Sequence, residues 1–527
     1  MKTSSFLFAA LLLLTACEGN NARYCDEQQP CEGGRFCDID GAYGDTGPNA
    51  CIASPGENAC NRLVACPDSK PFCSDESKGV CGECQNNSGC DSATPTCDPE
   101  ILICRACQSS RDCDSELCLA EAGTCVDSSE VIYIAKDGSD TDCGGFDSPC
   151  ATFIAAKQHL SSERQYIVFR PGQYADTLRI DTPMKLFGAG EVILSPNLGV
   201  ATIGVNITAT ARLSNFTFRP RLANDQDIGI SSSAADVVLD HLTIEEMSGG
   251  TAALRLTGVG SSTTLSNSTI ANNTTSMGLQ VKDGVHVLSG LQITGNKYGI
   301  EASTQANQIL TIENSSISEN SASGIEMFKG TLHVSGSRFL DNGSIGLFVQ
   351  KVRITRTVVG NNGQMGIEAN KSFHITNSFI YGNGGGSFPN GGVHLKGGGG
   401  VVEVFEFNTL VGNTIQTGAS AVRCDNEITH INNNIFFGTI QTNEELVSPL
   451  CSPEYSLFSA SDQLLTGTGN QKIDPIFVNP DAEDYHLQDN SPGVDEADPS
   501  SSETTDFDGD QRPQAARSDI GADEVVP

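Results

Sequence analysis

Three aspartates at alternate positions, Asp506, Asp508 and Asp510, could together offer oxygens to a hard cation such as calcium. The run departs from the helix-loop-helix calcium loop: Gly509 stands fourth, and Arg517 occupies the twelfth place, where a glutamate belongs. A solvated acidic turn is the favoured reading, calcium the alternative, and no other cofactor is implied. Lys351, Arg353 and Arg356 follow Glu326 by about one repeat of the pattern described below. A cation beside a carboxylate is what β-elimination from an acidic sugar would need. On a strand whose Val352 and Ile354 point inward, however, the same cations are ordinary outer-face residues. His241, His286, His333, His374, His394 and His430 are scattered singly, without metal-ligand spacing, and read as surface polar groups. Cys81-Gly-Glu-Cys84 and Cys104-Arg-Ala-Cys107 make two C-x2-C pairs at a separation that fits a four-cysteine zinc site.

The remaining cysteines give that zinc site a competitor. Setting Cys17 aside, twenty of the 21 cysteines fall into even groups: sixteen between Cys25 and Cys125, then Cys143 with Cys150, and Cys424 with Cys451. The sixteen divide into four units of four, beginning at Cys25, Cys60, Cys84 and Cys107, with five residues between the first two cysteines of each. In an exported chain, even grouping argues for disulfides within each group, and this register uses all sixteen where zinc uses four. Such units resemble the short cysteine-rich repeats of exported bacterial and extracellular animal proteins. They are too poor in apolar residues to fold without covalent staples.

Export is written at the N-terminus. Lys2, the apolar run Phe6 to Leu14 and the small residues before Cys17 have the zones of a secretory signal, and the run is too short to span a bilayer. Leu14-Thr15-Ala16-Cys17 resembles the lipobox of bacterial lipoproteins. The resemblance implies removal of residues 1–16, a lipid on Cys17 and a place in the cell envelope, on the outer membrane of a Gram-negative bacterium. The membrane, through that lipid, is then the first partner. The net charge of −34 excludes nucleic acid as another, because polyanions repel without an intervening divalent cation. Trp is absent and Tyr numbers 9, so aromatic platforms for sugar rings are scarce and Phe is assigned to the core.

The elements that would position any site come from a repeat. Leu213-Ser-Asn-Phe-Thr-Phe218 recurs as Leu239 to Ile244, Leu265 to Ile270 and Leu288 to Ile293, and continues to Ile431-Phe436, at about 24 residues per repeat. Apolar residues alternate within it, so its elements are short strands. Asn recurs three residues past the closing apolar position, at Asn273, Asn296, Asn320, Asn342, Asn362, Asn383 and Asn413. It marks a turn, where Asn tolerates left-handed backbone and can form a ladder. A Gly-apolar pair, such as Gly299-Ile300 or Gly346-Leu347, opens the next strand. The pattern resembles the pectin-lyase-like right-handed parallel β-helix superfamily over most of residues 131 to 470, with a leucine-rich repeat as runner-up. The expected fold class is therefore all-β: a β-helix (131–469) with an N-terminal helical cap, preceded by a disulfide-rich region (17–128). Ser148-Pro149 should open the cap helix, with Phe153, Ala156, Lys157 and Leu160 along one face.

Residues 470–527 carry Asp474-Pro-Ile-Phe-Val478, Thr505-Asp-Phe-Asp-Gly-Asp510 and Asp519-Ile-Gly-Ala-Asp-Glu524. In that order they resemble the C-terminal region of surface-anchored bacterial β-helix proteins, and are expected to end the rod with a polar tail. Many β-helix relatives cleave acidic polysaccharides. The hydrolases among them carry Asn-Thr-Asp, Asp-Asp, Gly-His-Gly and Arg-Ile-Lys motifs, none of which occurs here. Fold alone does not transfer activity. The expectation is a non-catalytic surface protein that presents its β-helix to a surface polysaccharide or protein; a lyase or glycoside hydrolase acting on acidic polysaccharide is the alternative.

Overall fold

The computed structural model describes residues 25–526 except 27–30, 32–34, 43–47, 54–58, 62–63, 65, 67–69, 71, 75–78, 99, 101, 199–202, 221–226, 248, 303–307, 386–390, 399–402, 416–417, 439–443 and 461–466. Cys17 and the expected signal peptide lie outside the described residues. The chain divides into two compact units, Met1–Glu130 and Val131–Pro527.

In the first unit every four-cysteine group bonds first to third and second to fourth. The pairs are Cys25–Cys37 with Cys31–Cys51, Cys60–Cys73 with Cys66–Cys81, Cys84–Cys97 with Cys90–Cys104, and Cys107–Cys118 with Cys113–Cys125. This overturns the zinc alternative. Cys81, Cys84, Cys104 and Cys107 are each tied to a different cysteine, and a disulfide sulfur is not the thiolate that zinc requires. Antiparallel ribbons such as Phe36–Asp38 with Ala50–Ile52 run beside these bonds.

The second unit is a parallel β-helix. From Val131–Ile134 to Gln471–Lys472, 34 strands among the described residues form one continuous sheet in which each strand pairs in parallel with its counterpart a coil later. Every full coil has three strand positions. Sheet A contains Met277–Val281 and Tyr298–Ala302, sheet B Val285–Ser289 and Ile309–Glu313, and sheet C Gln292–Thr294 and Ser316–Ser318. The opening apolar residues of the repeat stack in sheet B, from Leu213 through Leu239, Leu265, Leu288 and Ile312 to Val334. The closing ones stack in sheet C, from Phe218 through Ile244, Ile270, Ile293 and Ile317 to Phe339. All of them are buried in one core. Each such side chain contributes roughly 1.5–3 kcal/mol of burial, repeated coil after coil.

The turn from sheet C to sheet A is set by an asparagine ladder. Asn273 Nδ2 donates to Asn296 Oδ1 (2.8 Å), Asn296 to Asn320 (3.1 Å), Asn320 to Asn342 (3.0 Å), Asn342 to Asn362 (3.0 Å), Asn362 to Asn383 (2.8 Å) and Asn383 to Asn413 (2.9 Å). The ladder residues do not themselves take the left-handed conformation that the sequence suggests for them. The residue before each one does: Asn272, Glu319, Asp341 and Asn361 have φ of 54–56°, which frees the ladder side chain to point inward. Glycine opens the sheet A strands beside the ladder, at Gly278, Gly299, Gly324, Gly346 and Gly366, because the ladder leaves no room. A Cβ on Gly346 would lie 2.7 Å from Gly366 O and 2.9 Å from Asn362 Nδ2.

The N-terminal helix is Phe153–Lys157, capped by Thr152, whose hydroxyl accepts from Ala155 N. It starts later than Ser148-Pro149 because Cys150 N donates to Tyr133 O and Cys150 O accepts from Ala135 N, which holds that stretch extended, and Cys150 is bonded to Cys143. Asp140 accepts from Ala151 N and Thr152 N, a second capping carboxylate. Phe153 and Ala156 close the end of the core, Leu160 packs against it, and Lys157 turns out to Asp181.

The C-terminal segment departs most from expectation. It returns along the outside of sheet C and is apolar where it touches. Phe477, Leu487, Ala497, Ile520 and Ala522 pack on Val358, Phe379, Tyr381, Phe407, Val411 and Ile435. Outward positions of sheet C in these last coils are apolar, so they need a cover, and a polar tail would have left them wet. Main-chain bonds fix the contact: Gly521 N donates to Asn433 O (2.9 Å) and Ala522 N to Thr409 Oγ1 (2.9 Å). Beneath it Arg512, stacked 4.6 Å from the Phe407 ring, forms a fully buried pair with Glu524 at 2.9 Å and donates to the carbonyls of Asp519 and Gly521.

Candidate functional site

Side chains on sheet A alternate inward and outward, so one position per coil builds an external ladder. It runs from Arg255 through Gln280, Glu301, Glu326, Phe348, Glu368 and His394 to Arg423. In-register parallel strands place successive members about 4.8 Å apart. Arg255 Nε donates to Gln280 Oε1 (2.7 Å), and Gln280 Nε2 to Glu301 Oε1 (3.3 Å). At the other end Lys396 pairs with Glu368 (2.6 Å), His394 Nε2 with Asp425 (2.9 Å) and Arg423 with the same Asp425 oxygen (3.4 Å). Burial works against the charge on Asp425, but His394, Arg423 and Lys396 outweigh it and hold its carboxyl below the usual range.

This meeting of acids and bases is not the one expected from sequence. Glu326 belongs to sheet A, whereas Lys351 stacks on Thr331 and Arg353 lies between His333 and His374 in sheet B. A bulge between Met327 and Thr331 turns the chain from one sheet to the other. Arg356 is engaged elsewhere, donating from Nε to Phe507 O (3.0 Å) and so pinning the C-terminal segment. The histidines are not uniform surface decoration: His286 is fully buried and His394 nearly so. Burial lowers the pKa of His286.

Phe328 and Phe348 also leave the core. Phe328 is 44 % exposed and its ring lies 5.3 Å from that of Phe348 on the outside of sheet A.

Of the aspartate triplet, Asp506 is fully buried and its oxygens accept from Gly509 N, Asp510 N and Glu524 N at 2.7–3.0 Å. Asp508 faces His486 Nε2 at 3.0 Å, and Asp510 is exposed. Asp506 thus has protein donors already and Asp508 is ion-paired with His486, and the turn they lie in brings Phe507 onto Phe379, ring to ring at 4.7 Å. Cys424 and Cys451 are bonded beside the last sheet A strands.

Residues 201–350 and 252–415 match the family described as right handed beta helix region. A search of curated proteins returns no match. Among solved structures the chain is similar to pectate lyase Pel9A, at 16% identity over 79% of this chain and 100% of that one, with a TM-score of 0.40. It is similar to the A-module of Azotobacter vinelandii mannuronan C-5 epimerase AlgE4, at 14% identity over 58% and 90%, TM-score 0.39. It is also similar to the Dettilon tailspike protein, at 13% identity over 66% and 69%, TM-score 0.39. The strand pairing and the family match define the class: a right-handed parallel β-helix of about ten coils. This protein is such a β-helix with a disulfide-rich unit preceding it in sequence. No helix among the described residues is long and apolar enough to cross a membrane.

Proposed function

We propose that this is a lipid-anchored envelope protein, held through Cys17, whose β-helix binds a surface polysaccharide or protein along the outward ladder of sheet A without cleaving it. The observation that carries the reading is the pairing of the cations on that face. Lys396 is bound to Glu368, and Arg423 and His394 to Asp425, while Arg255 is turned to Gln280. A base for β-elimination must be free to take a proton, and a cation neutralised by a carboxylate at 2.6 Å is poorly placed for that. Paired charges of both signs at regular spacing suit recognition of a repeating or extended partner. The alternative, cleavage of acidic polysaccharide, draws on the same cluster, since Glu368, Lys396, His394 and Asp425 supply acids and bases within three successive coils.

The test uses the chain from residue 18 onward, exported without lipid, on immobilised anionic and neutral polysaccharides with calcium and with chelator. Retention that falls several-fold in the double variant Glu301→Gln/Glu326→Gln, with no unsaturated product or new reducing end, supports the binding role. Product formation that disappears in Lys396→Met would replace it with the enzymatic one.

A further inference from the structure

His486 stands where three parts of the C-terminal segment meet the rod. It lies on strand Asp484–Leu487, which pairs antiparallel with Phe477–Asn479. Its Nδ1 is 2.5 Å from Asp484 Oδ1 on the same strand, and its Nε2 is 3.0 Å from Asp508 Oδ2 in the turn 505–510. Asp523, near the end of the chain, accepts from the adjacent Leu487 N at 2.6 Å and is a third carboxylate that favours charge on the ring. Sheet C meets the ring with Phe379, centroids 5.1 Å apart, and the turn meets it with Phe507 at 6.0 Å. The rod's cation at this turn is Arg356, bound through Nε to Phe507 O, with its guanidinium 3.6 Å from the place a Cβ would take on Gly509.

This arrangement asks for both ring protons. A neutral imidazole donates from one nitrogen and presents a lone pair at the other, and a lone pair 3.0 Å from a carboxylate oxygen is repelled. The imidazolium satisfies Asp484 and Asp508 together. Nδ1 is the more closely held nitrogen and the Asp508 side chain is 50 % exposed, so Nε2 is the one that gives its proton to water. Burial opposes the charge, but Asp484, Asp523 and Asp508 outweigh it and raise the pKa of His486. A histidine shifted in this direction lends stability that is complete below its unfolded value, about 6.5, and is lost as pH rises through the folded one. Burial pushes the Asp523 carboxyl up to about 6, so Asp523 is ionised before His486 begins to lose its proton.

We propose that His486 is a protonation-controlled clasp of the C-terminal segment. As imidazolium it ties the turn 505–510 to strand Asp484–Leu487 over Phe379. When Nε2 loses its proton, Asp508 is pushed away and the turn lifts, carrying the Phe507 ring from Phe379 and the Phe507 carbonyl from Arg356. The segment is closed in mildly acidic surroundings and loose in alkaline ones.

Hydrogen exchange read by mass spectrometry tests this on the chain from residue 18, with each rate divided by its intrinsic value at the same pH. The amides of Phe507, Gly509 and Asp510 are bonded to Ala522 O and Asp506 Oδ1. They should lose protection several-fold between pH ~6 and ~9, while the ladder amides of Asn296 and Asn320 keep theirs. In His486→Gln the turn should show the low protection at both pH values. Protection that is flat with pH in the parent, or a pH dependence that survives in His486→Gln, would refute the clasp. So would a loss of protection on adding chelator at pH ~6, since a metal and not a proton would then hold the turn. If His486→Gln fails to fold, exchange at the C2 carbon of His486 in the parent gives its titration. That midpoint must lie above the ordinary histidine value and coincide with the turn's loss of protection; separate midpoints overturn the proposal.

Discussion

Glu406 is the carboxyl on the rod most displaced from its ordinary behaviour. It lies on the outside of sheet B, where burial, with Glu503 and Asp498 of the C-terminal segment nearby, raises its pKa to about 7. The folded protein therefore holds a proton on Glu406 that the unfolded chain releases near the ordinary glutamate value. Between those two values stability falls as pH rises, and the full penalty is present above about 7. Glu406→Gln should remove it. Denaturant titration should show the variant more stable than the parent by on the order of 1–2 kcal/mol at pH ~8, after allowance for solvent screening, and indistinguishable at pH ~4. An equal effect at both pH values would mean that the charge is already relieved by solvent or a counterion.

At the scale of the element, the asparagine ladder matters more than any one strand, because it joins coils that strand propensity alone would leave unregistered. Asn342 donates to Ile317 O and Asn362 Oδ1 and accepts from Asn320 N and Asn320 Nδ2. Asn342→Ala would orphan groups on two neighbouring coils at once, with a loss of about 4 kcal/mol in chemical denaturation. A loss below ~1 kcal/mol would show that water replaces the ladder. A second ladder, between sheets B and C, escaped the sequence reading because its members vary: Ser268 Oγ, Ser315 Oγ and Ser337 Oγ accept from main-chain N–H groups, and Asn408 Nδ2 donates to Asn434 Oδ1. The asparagine run was legible because one chemistry recurs at every coil. Serine and asparagine alternating in one structural role give no comparable signal.

For the whole molecule, the return of the C-terminal segment along sheet C decides solubility as much as stability. Ending the chain after Lys472 would bare Val358, Phe379, Tyr381, Val411 and Ile435, an apolar strip over several coils. The shortened protein is expected to bind a hydrophobic dye and to self-associate in sedimentation while keeping its β-sheet circular dichroism. Complete loss of that signal would instead make the segment part of the folding core. Val494 and Phe507, partly buried against this same cluster, show the segment contributing its own apolar residues to the seam.

Local rules were enough for the sequence to settle the period, the inward apolar residues of each coil and the grouping of cysteines. Alternation at every second residue says which side chains enter a core, and an even count of cysteines in each block confines their pairing. Tertiary structure decided what lies beside what. Successive ladder asparagines are 23, 24, 22, 20, 21 and 30 residues apart, so turns of unequal length absorb the differences. A fixed offset of one repeat therefore does not identify neighbours, and Lys351 falls one sheet away from Glu326 while Lys396 meets Glu368. Likewise the aspartates at 506 and 508 have the composition of a cation loop, and only the folded chain supplies the Glu524 N–H and the His486 ring that occupy them.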